Sequence, residues 1–432
     1  MKNKKIVVIG GGIAGITAVM KLKELGYEPI LITKGAGSSA MFSGSIDIAS
    51  LVESKHLKGI DIPLKEQIKL VQNRNPNHPY NKLTDIYSVL TESINMVNKE
   101  LDLRFTELDL NKPNYIIPTQ TGYLKESALI KEYSINFDLN TIMKSNENYG
   151  LLNFTLFNSF FYENLLHNLN LIKKEQNSES NFFIINFDFL RRSTDVNLKN
   201  YDLANILENN NLYVELIDKI SEIIKTENIN NIISPAIWGI EKYNEINTLL
   251  KSRFNFIETL SNTPSISGIR LQKKINKYLK EHNVVVINEK VIGYKHKNGN
   301  ILSVVTNKNN EVNTSGIVLA TGKFIGGGIN TQNGYSESVF NMPLFYNGRP
   351  LPETVKEPMF ENDYFKKHQA FSVGLKVNRR FQALGIDNRV IFKNLFVAGN
   401  IIADYNYIAR EGGFGVAIST GYKAAKSLAQ II

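Results

Sequence analysis

The hydrophobic pattern at the start of the chain predicts a strand, a glycine turn and a helix in succession. Residues 6–9 (IVVI) are continuously apolar and β-branched, which favours a central parallel strand buried on both faces. The next apolar segment predicts a helix over about residues 13–25, and Gly26 is placed to end it. Residues 28–33 predict a second strand. This order is typical of the first half of a dinucleotide-binding unit.

The glycines between the first strand and the helix fit the G-x-G-x-x-G pattern of that unit. Gly10 allows the tight turn, Gly12 lets the backbone approach a phosphate, and Gly15 lets helix and strand pack closely. The amides and dipole at the helix N-terminus would face the phosphate. Because all the elements follow in order, the sequence predicts a bound nucleotide cofactor; the alternative is a tight turn without a ligand.

The residue that ends the second strand departs from this pattern. Thr33 stands where an acid that binds a ribose hydroxyl pair is expected. The Thr33 hydroxyl can make one hydrogen bond, and Lys34 or the Gly35 backbone could approach a phosphate. Two options stay open: FAD with an altered ribose contact, or a cofactor without the adenosine half, such as FMN.

The second half of the chain contains further strand and glycine signals. Short strands are predicted at residues 284–287, 291–297, 301–307 and 311–314, with an Asn298-Gly299 turn. Two buried strands follow, in GIVLATGKFIGGG (316–328) and NLFVAGN (394–400). Residues 412–415 (GGFG) then open a helix that extends to about residue 428. Two-domain flavoproteins have this order, with the last helix pointing its N-terminus at the flavin pyrimidine edge. The predicted cofactor is therefore a flavin.

These signals predict an α/β fold, in which a Rossmann-like flavin-binding domain with a parallel sheet and a β-meander receives an inserted, mainly helical capping domain. The flavin-binding domain comprises residues 1–60, 265–340 and 370–432. The insertion, which would cap the ring and bind substrate, comprises residues 61–264, with residues 341–369 as a candidate addition. Its Asn-rich patches, such as residues 207–213 (LENNNLY), are expected to be loops between helices.

Composition narrows the function classes. The chain has 432 residues, of which 43% are hydrophobic and 21% charged, as expected for a globular protein with room for two domains. It has no membrane-spanning apolar run and no leader, so we expect a cytoplasmic protein. It has no cysteine, which excludes thiolate zinc sites and cysteine-ligated iron–sulfur clusters within this chain. The spacing of the histidines does not match that of metal ligands, so we expect no metal site. The chain also lacks a run of basic residues interleaved with aromatics, so we do not expect it to bind nucleic acid.

Several segments together resemble one family, the B subunits of anaerobic glycerol-3-phosphate dehydrogenase. These segments are GGGIAG and ITKG, SSAMFSGSIDIAS, HPY, PTQTG, SPAIWGI, PSISGIRL, VLATGKFIGGG and the closing NLFVAGNIIADYNYIAREGGFGVAISTGYKAA. The resemblance implies a flavoprotein, usually assigned FMN, in a complex with a second flavin subunit and an iron–sulfur subunit. That complex oxidises sn-glycerol 3-phosphate to dihydroxyacetone phosphate and passes electrons to the quinone pool. Membrane contact, on the inner face of the cell membrane, would come only through partners.

Oxidising a secondary alcohol requires a base for the hydroxyl proton and cations for the anionic part of the substrate. His368 is the first candidate for the base, because it precedes the segment that re-enters the flavin domain; His78 is the second. Arg270, Arg349 and Arg410 are the candidate cations. The candidate cofactor-binding residues are Gly10, Gly12, Gly15, Thr33, Lys34, Ser43, Gly44, Ser45, Thr321, Gly322, Gly399, Asn400, Asp404, Gly412 and Gly413.

Three functions remain open from the sequence. The first is a flavin dehydrogenase that acts on a CH–OH group of sn-glycerol 3-phosphate. The second is a flavin electron-transfer or assembly subunit that contacts no substrate. The third is a flavin oxidoreductase for another small anionic hydroxy or keto acid.

Overall fold

The computed structural model describes residues 4–50, 61–155, 157–187, 198–229, 231–332, 334–352, 359–363, 366, 368–409 and 411–432. Its α-helices follow the chain in order. They are α1 (Ile13–Glu24), α2 (Leu64–Arg74), α3 (Ile86–Glu100), α4 (Leu139–Lys144), α5 (Tyr162–Gln176), α6 (Asn200–Asn209), α7 (Leu212–Glu227), α8 (Tyr243–Arg253), α9 (Ile266–Glu281) and α10 (Gly413–Ala429).

The strands are numbered in the same way, and several are only two or three residues long. They are β1 (Ile6–Ile9), β2 (Pro29–Ile32), β3 (Tyr115–Pro118), β4 (Leu124–Ser127), β5 (Asn148–Phe154), β6 (Asn181–Phe187), β7 (Asn231–Ser234), β8 (Asn255–Glu258), β9 (Val285–Ile287), β10 (Val291–Lys297), β11 (Asn300–Thr306), β12 (Glu311–Asn313), β13 (Gly316–Leu319), β14 (Ile329–Asn330), β15 (Ser336–Glu337), β16 (Leu344–Tyr346), β17 (Arg349–Pro350), β18 (Gly374–Leu375) and β19 (Leu395–Val397).

The central sheet is parallel and has the order β19-β13-β1-β2-β9. Strand β1 pairs with β13 on one side and with β2 on the other, and all four of its residues are buried. Parallel strands covered on both faces need continuous apolar runs, which is what β1 and β13 supply. The predicted Rossmann-like α/β fold is confirmed.

Helices α1 and α10 pack closely against each other over this sheet, and α3 packs on α10. Their approach depends on Gly421 in α10, where a Cβ atom would lie 2.2 Å from the backbone oxygen of Ala14 in α1. A real Cβ atom does not come that near to a carbonyl oxygen, so this crossing requires glycine.

The predicted meander is the antiparallel sheet β10-β11-β12. Asn298 and Gly299 connect its first two strands, and both have positive φ (53° and 75°). That is the backbone of a type I′ hairpin turn, which this dipeptide favours. The predicted strand near residue 285 also exists, but as β9 it pairs with β2 in the parallel sheet.

The insertion contains a sheet that the sequence analysis did not predict. Four parallel strands in the order β6-β5-β7-β8 form its centre, and helices α4 to α8 accompany them. More of the insertion is helical than extended, as predicted, but its hydrophobic core is built on the sheet. These strands are hard to predict from the sequence because asparagines interrupt their apolar runs, as in β5 (NYGLLNF) and β6 (NFFIINF).

Asparagines also end two helices of the insertion. Asn177 follows α5 and Asn228 follows α7, each in the left-handed conformation that ends a helix. Asn211, in the predicted loop of residues 207–213, has the same conformation and separates α6 from α7.

Packing divides the chain somewhat differently from the predicted domain boundaries. The segment from α2 to Phe105 contributes to the same hydrophobic core as the central sheet, although it follows residue 61. The second core begins at Ile116 and extends to Leu260. Residues 342–346 also pack with the first core. Among the described residues, no helix is both long and apolar enough to cross a membrane.

We expect Gly421→Ala to lower the free energy of unfolding by about 1–3 kcal/mol, because the new methyl group overlaps the Ala14 carbonyl and forces α1 and α10 apart. Gly293→Ala is the control, since its Cβ atom meets nothing nearer than 3.9 Å. Urea unfolding followed by circular dichroism measures both. Equal midpoints for the two variants would contradict the close packing described here.

Candidate functional site

A cavity of about 400 Å³ lies where β1, β2 and β13 end at their carboxyl ends. This is the edge of a parallel α/β sheet at which ligands generally bind. Its volume falls in the range of small-molecule and cofactor sites. The first turn of α1 and the first turn of α10 both line it, so two helix N-termini meet there.

The glycine loop after β1 packs backbone against backbone. Gly10 has a φ of +118°, and a Cβ atom on Gly15 would lie 2.0 Å from the Gly10 oxygen. A Cβ atom on Gly11 would lie 2.5 Å from Thr33 Oγ1. Side chains would therefore close the loop, and glycines keep its backbone open to the cavity.

Thr33 uses its hydroxyl within its own turn. Thr33 Oγ1 donates to the Gly35 oxygen at 2.8 Å and accepts from the Gly35 N–H at 3.0 Å. These bonds hold the bend after β2, so Thr33 supports the cavity edge by shaping the backbone. Lys34 is exposed and extends toward the glycine turn after β13, where a Cβ atom on Gly327 would lie 2.6 Å from Lys34 Nζ.

Ser39 is a site residue that the sequence analysis missed. It is 5% exposed, lines the cavity and accepts a hydrogen bond from the N–H of Ile13 at 2.8 Å. It therefore caps the first turn of α1 from a distant segment. Its signal in the sequence is the small, hydroxyl-rich segment after Gly35, but spacing alone does not show which serine reaches the helix.

Thr321 and Gly322 form the opposite wall, after β13. Gly322 has a φ of +70°, and the buried Thr321 Oγ1 has no hydrogen-bond partner within the part of the chain that the structure describes. An unpartnered buried hydroxyl in a cavity wall is costly unless a ligand satisfies it. Together with the open glycine backbone, it fits a polar cofactor such as a flavin nucleotide.

The N-terminus of α10 lines the cavity through Gly413, Phe414 and Ala417. Gly412 precedes it with a φ of +100°, and a Cβ atom there would lie 2.2 Å from the Ile48 oxygen. Of the predicted residues before this helix, Asn400 lines the cavity. Gly399 and Asp404 lie behind it: the Gly399 N–H donates to Thr420, and Asp404 accepts from the Gly348 N–H.

Ser43, Ser45 and Asp47 lie two residues apart on one bent segment at the cavity. Lys125 in β4 forms an ion pair with Asp47 at 2.9 Å and donates to Ser43 Oγ at 3.1 Å. This pair is partly exposed and lines the cavity, so it places a cation and a carboxylate beside any bound cofactor. Gly44, the predicted residue between the serines, faces Ser267 instead.

Lys323 is the most unusual side chain of the cavity. It is 3% exposed, and its ammonium group donates to the backbone oxygens of Phe371 and Tyr405. Burial lowers the pKa of Lys323 to about 7, although Asp404 and Glu411 act in the opposite direction. An amine that changes charge near neutral pH in a cavity wall is a candidate proton-transfer group. Lys323 was not predicted as a site residue, because its neighbours Thr321 and Gly322 define the motif and a lysine in a turn is usually exposed.

Three of the predicted catalytic residues, Arg270, Arg349 and His368, do not line this cavity. Arg270 is buried in the insertion interface, paired with Glu258. Arg349 is exposed in β17. His368 accepts a hydrogen bond from the Glu361 N–H and packs on Phe371, one side chain away from Tyr407 of the cavity wall.

The remaining two candidates for a role in catalysis are Arg410 and His78. Arg410 lies outside the described residues, so its assignment stays a prediction. His78 is fully buried: its Nδ1 accepts from the Tyr80 N–H at 3.2 Å and its Nε2 lies 3.1 Å from the Glu411 oxygen. Burial lowers the pKa of His78 to about 3, so it is neutral and supports the turn in which it stands.

Comparison with known proteins identifies the region that forms the cavity. The FAD binding domain family model matches residues 5–127, and the glucose inhibited division protein A model matches residues 264–341. The first match includes the glycine loop, Thr33 and Ser39. The prediction of a flavin cofactor is confirmed, and FAD is supported in particular.

Whole-chain relatives agree with the resemblance noted in the sequence. The B subunit of anaerobic glycerol-3-phosphate dehydrogenase from Aliivibrio fischeri is 24% identical over 99% of this chain and 95% of its own length. The protein of that name from Histophilus somni is 25% identical over 98% and 97%. Among solved structures, the 3-ketosteroid Δ1-dehydrogenase of Sterolibacterium denitrificans has 11% identity and a TM-score of 0.41 over 100% of both chains. The chain is thus a flavoprotein that resembles the B subunit of anaerobic glycerol-3-phosphate dehydrogenase along its whole length.

We expect Thr33→Val to raise the dissociation constant of the flavin about 3- to 10-fold, because the turn after β2 loses both hydrogen bonds to Gly35. Thr248→Val is the matched control, since that hydroxyl bonds only to its own helix, at the Asn244 oxygen. Fluorescence titration of the flavin-depleted protein with FAD and with FMN measures both variants. An unchanged affinity in Thr33→Val would show that this turn does not shape the site.

Proposed function

We propose that the protein is a flavin-dependent dehydrogenase that oxidises the CH–OH group of sn-glycerol 3-phosphate to dihydroxyacetone phosphate. The observation that carries the enzymatic part is the buried amine of Lys323 in the wall of a cavity that fits a flavin. The substrate is proposed from the name of the full-length relatives. The electrons would pass to partner subunits, a second flavin subunit and an iron–sulfur subunit, and then to the quinone pool.

Lys323 has the arrangement of a general base. In its neutral form, the amine can donate its two N–H groups to the Phe371 and Tyr405 oxygens. The lone pair then occupies the one position that these bonds leave open, and it would accept the hydroxyl proton of an alcohol bound within reach of it. With a pKa of about 7, the amine is half neutral near physiological pH and becomes a cation when it takes the proton.

When bound, the flavin supplies the two-electron acceptor for the hydride that leaves the carbinol carbon. The N-terminus of α10 would place its amide groups and helix dipole at the cofactor, where negative charge is stabilised. Ser39, Thr321 and Asn400 would hold polar parts of the cofactor from three sides of the cavity.

Cations near the cavity would attract the anionic substrate. Lys125 is partly neutralised by Asp47, whereas Lys34 stands at the glycine turn with its charge exposed. Among the residues predicted from the sequence, Arg410 remains a proposed substrate cation, and His368, one side chain away from the cavity wall, remains a proposed base second to Lys323. We also propose a cytoplasmic location with contact to the membrane only through partners.

We expect Lys323→Met to lower kcat at least about 100-fold, because general-base catalysis contributes about 10²–10⁴. In the wild type, kcat/KM should rise with pH through about 7, since only the deprotonated amine accepts a proton. The variant should lose this rise. Steady-state reduction of a dye by sn-glycerol 3-phosphate, with flavin-loaded enzyme between about pH 5.5 and 8.5, measures both quantities.

Lys295→Met serves as the control, because that lysine is exposed in β10 and paired with Glu311. A variant of Lys323 that keeps its flavin and the wild-type pH profile would exclude the amine as the base. If the loaded wild-type protein reduces the dye with a different small hydroxy acid and not with sn-glycerol 3-phosphate, the proposed substrate is wrong. Flavin-loaded protein that reduces the dye with neither would favour an electron-transfer subunit.

A further inference from the structure

A second, smaller cavity of about 60 Å³ lies behind the first. Phe42 and Ser43 line both cavities, so only this segment separates them. The remaining lining comes from the insertion and from α9, and includes Lys131, Thr259 and Arg270. One water needs about 10–15 Å³ of such space, so this cavity has room for a group of several atoms.

Thr259 has an unsatisfied hydroxyl at this cavity. Its side chain is 2% exposed, and its Oγ1 atom has no hydrogen-bond partner in the ranges that the structure describes. Leaving a buried hydroxyl unpaired is destabilising, so a ligand that accepts or donates there would be favoured.

Lys131 adds a positive charge that has no direct ion pair among the described residues. Its ammonium group donates to the Leu103 oxygen and lies 4.2 Å from the centroid of the Phe105 ring. Within the described part of the chain, no carboxylate lies within 4 Å of it. Burial, together with the charges of Lys274 and Arg270, lowers the pKa of Lys131 to about 7, although Asp102 and Glu258 act in the opposite direction. Three cations therefore lie at one small space, of which Arg270 is paired with Glu258 and Lys274 with Asp102.

The other polar groups of this cavity favour an acceptor ligand as well. Glu258 is occupied by Arg270, whose Nη2 atom donates to its Oε1 at 3.0 Å, and by the Trp238 N–H at 3.0 Å. The hydroxyls of Tyr133 and Tyr243 bond to each other. That bond uses one of their two O–H groups as donor, so the other hydroxyl hydrogen, which has no acceptor among the described residues, can donate to a ligand.

We propose that this second cavity is a binding site for a small oxoanion of the phosphate class, either inorganic phosphate or the phosphate group of a small ester. Lys131, Thr259 and one tyrosine hydroxyl would donate to its oxygens, and Lys274 would add charge from α9. The ester form rests on the proposed function, whereas the inorganic form does not. The oxygens of an oxoanion are mainly acceptors, which matches the donors that Thr259, Lys131 and one tyrosine offer in this space.

The test uses the full-length, flavin-loaded protein and calorimetric titration with inorganic phosphate, sulfate and sn-glycerol 3-phosphate. Thr259→Val removes the hydroxyl at nearly constant volume, and Lys131→Met removes the charge. We expect each to weaken anion binding about tenfold or more, as for a hydrogen bond or charge offered to an anion. Lys277→Met is the matched control, because that lysine stands exposed on α9, paired with Glu281.

Trp238 offers a second readout, because it is the chain's only tryptophan and its backbone N–H donates to Glu258, which lines this cavity, while its indole N–H donates to Ser234 Oγ. Its emission should change on phosphate addition in the wild type and not in Thr259→Val. If only sn-glycerol 3-phosphate binds in a Thr259-dependent way, the anion is the ester; if inorganic phosphate and sulfate also bind, the site is a general oxoanion site. Binding that survives both variants, or no binding of any of the three anions, would overturn the proposal and leave a water-filled cavity.

The test of the anion site can fail or succeed independently of the proposed function. Anion binding is measured without turnover, so a protein that fails to oxidise sn-glycerol 3-phosphate could still bind phosphate at Thr259 and Lys131. Conversely, an active dehydrogenase whose Thr259→Val variant binds phosphate normally would refute only the second cavity.

Discussion

The backbone contact between α1 and α10 is the constraint on which the cavity depends. Gly421 lets α10 approach the Ala14 carbonyl, and Gly15 lets α1 approach the loop after β1. Because the first turns of both helices line the same cavity, these contacts set the distance between its two sides. Larger residues at either position would move a helix N-terminus, and with it the amide groups that line the cavity. The glycine loop therefore serves packing as well as keeping the cavity open.

Two lysines show how burial converts ordinary side chains into groups suited to chemistry or recognition. Lys323 at the large cavity and Lys131 at the small one both have a pKa lowered to about 7, and desolvation is the first cause in each case. Their surroundings differ. Lys323 is held by two carbonyl oxygens beside Asp404, whereas Lys131 lies near Lys274 and Arg270 as well as their partners Asp102 and Glu258. The same physical effect thus underlies two different proposals, a base in one cavity and an anion-binding group in the other.

The sequence predicted the parts of the fold that local patterns determine. The buried runs of β1 and β13, the length of α1, and the Asn298-Gly299 hairpin all follow from residues near one another in the chain. The parallel sheet of the insertion was missed because asparagines break its apolar runs and its strands pair across long separations.

From the sequence, only the glycines and small residues of the site could be predicted. Lys323, Ser39 and the Lys125–Asp47 pair depend on tertiary contacts that no spacing reveals. Proximity in sequence to a motif also does not reveal the partners of a side chain. Arg270 follows a glycine turn but forms an ion pair with Glu258, and His368 accepts a hydrogen bond from the Glu361 N–H. A residue type can suggest a role, but its partner decides whether it is free to perform it.

The most direct test of flavin-dependent oxidation at this cavity is the absorbance of the flavin in the purified, loaded protein, mixed anaerobically with sn-glycerol 3-phosphate. We predict that the oxidised-flavin band in the visible spectrum bleaches with no partner protein present, and that it bleaches faster above the Lys323 pKa of about 7 than below it. A flavin that dithionite reduces but sn-glycerol 3-phosphate leaves oxidised at every pH would contradict direct oxidation of the substrate at this cavity.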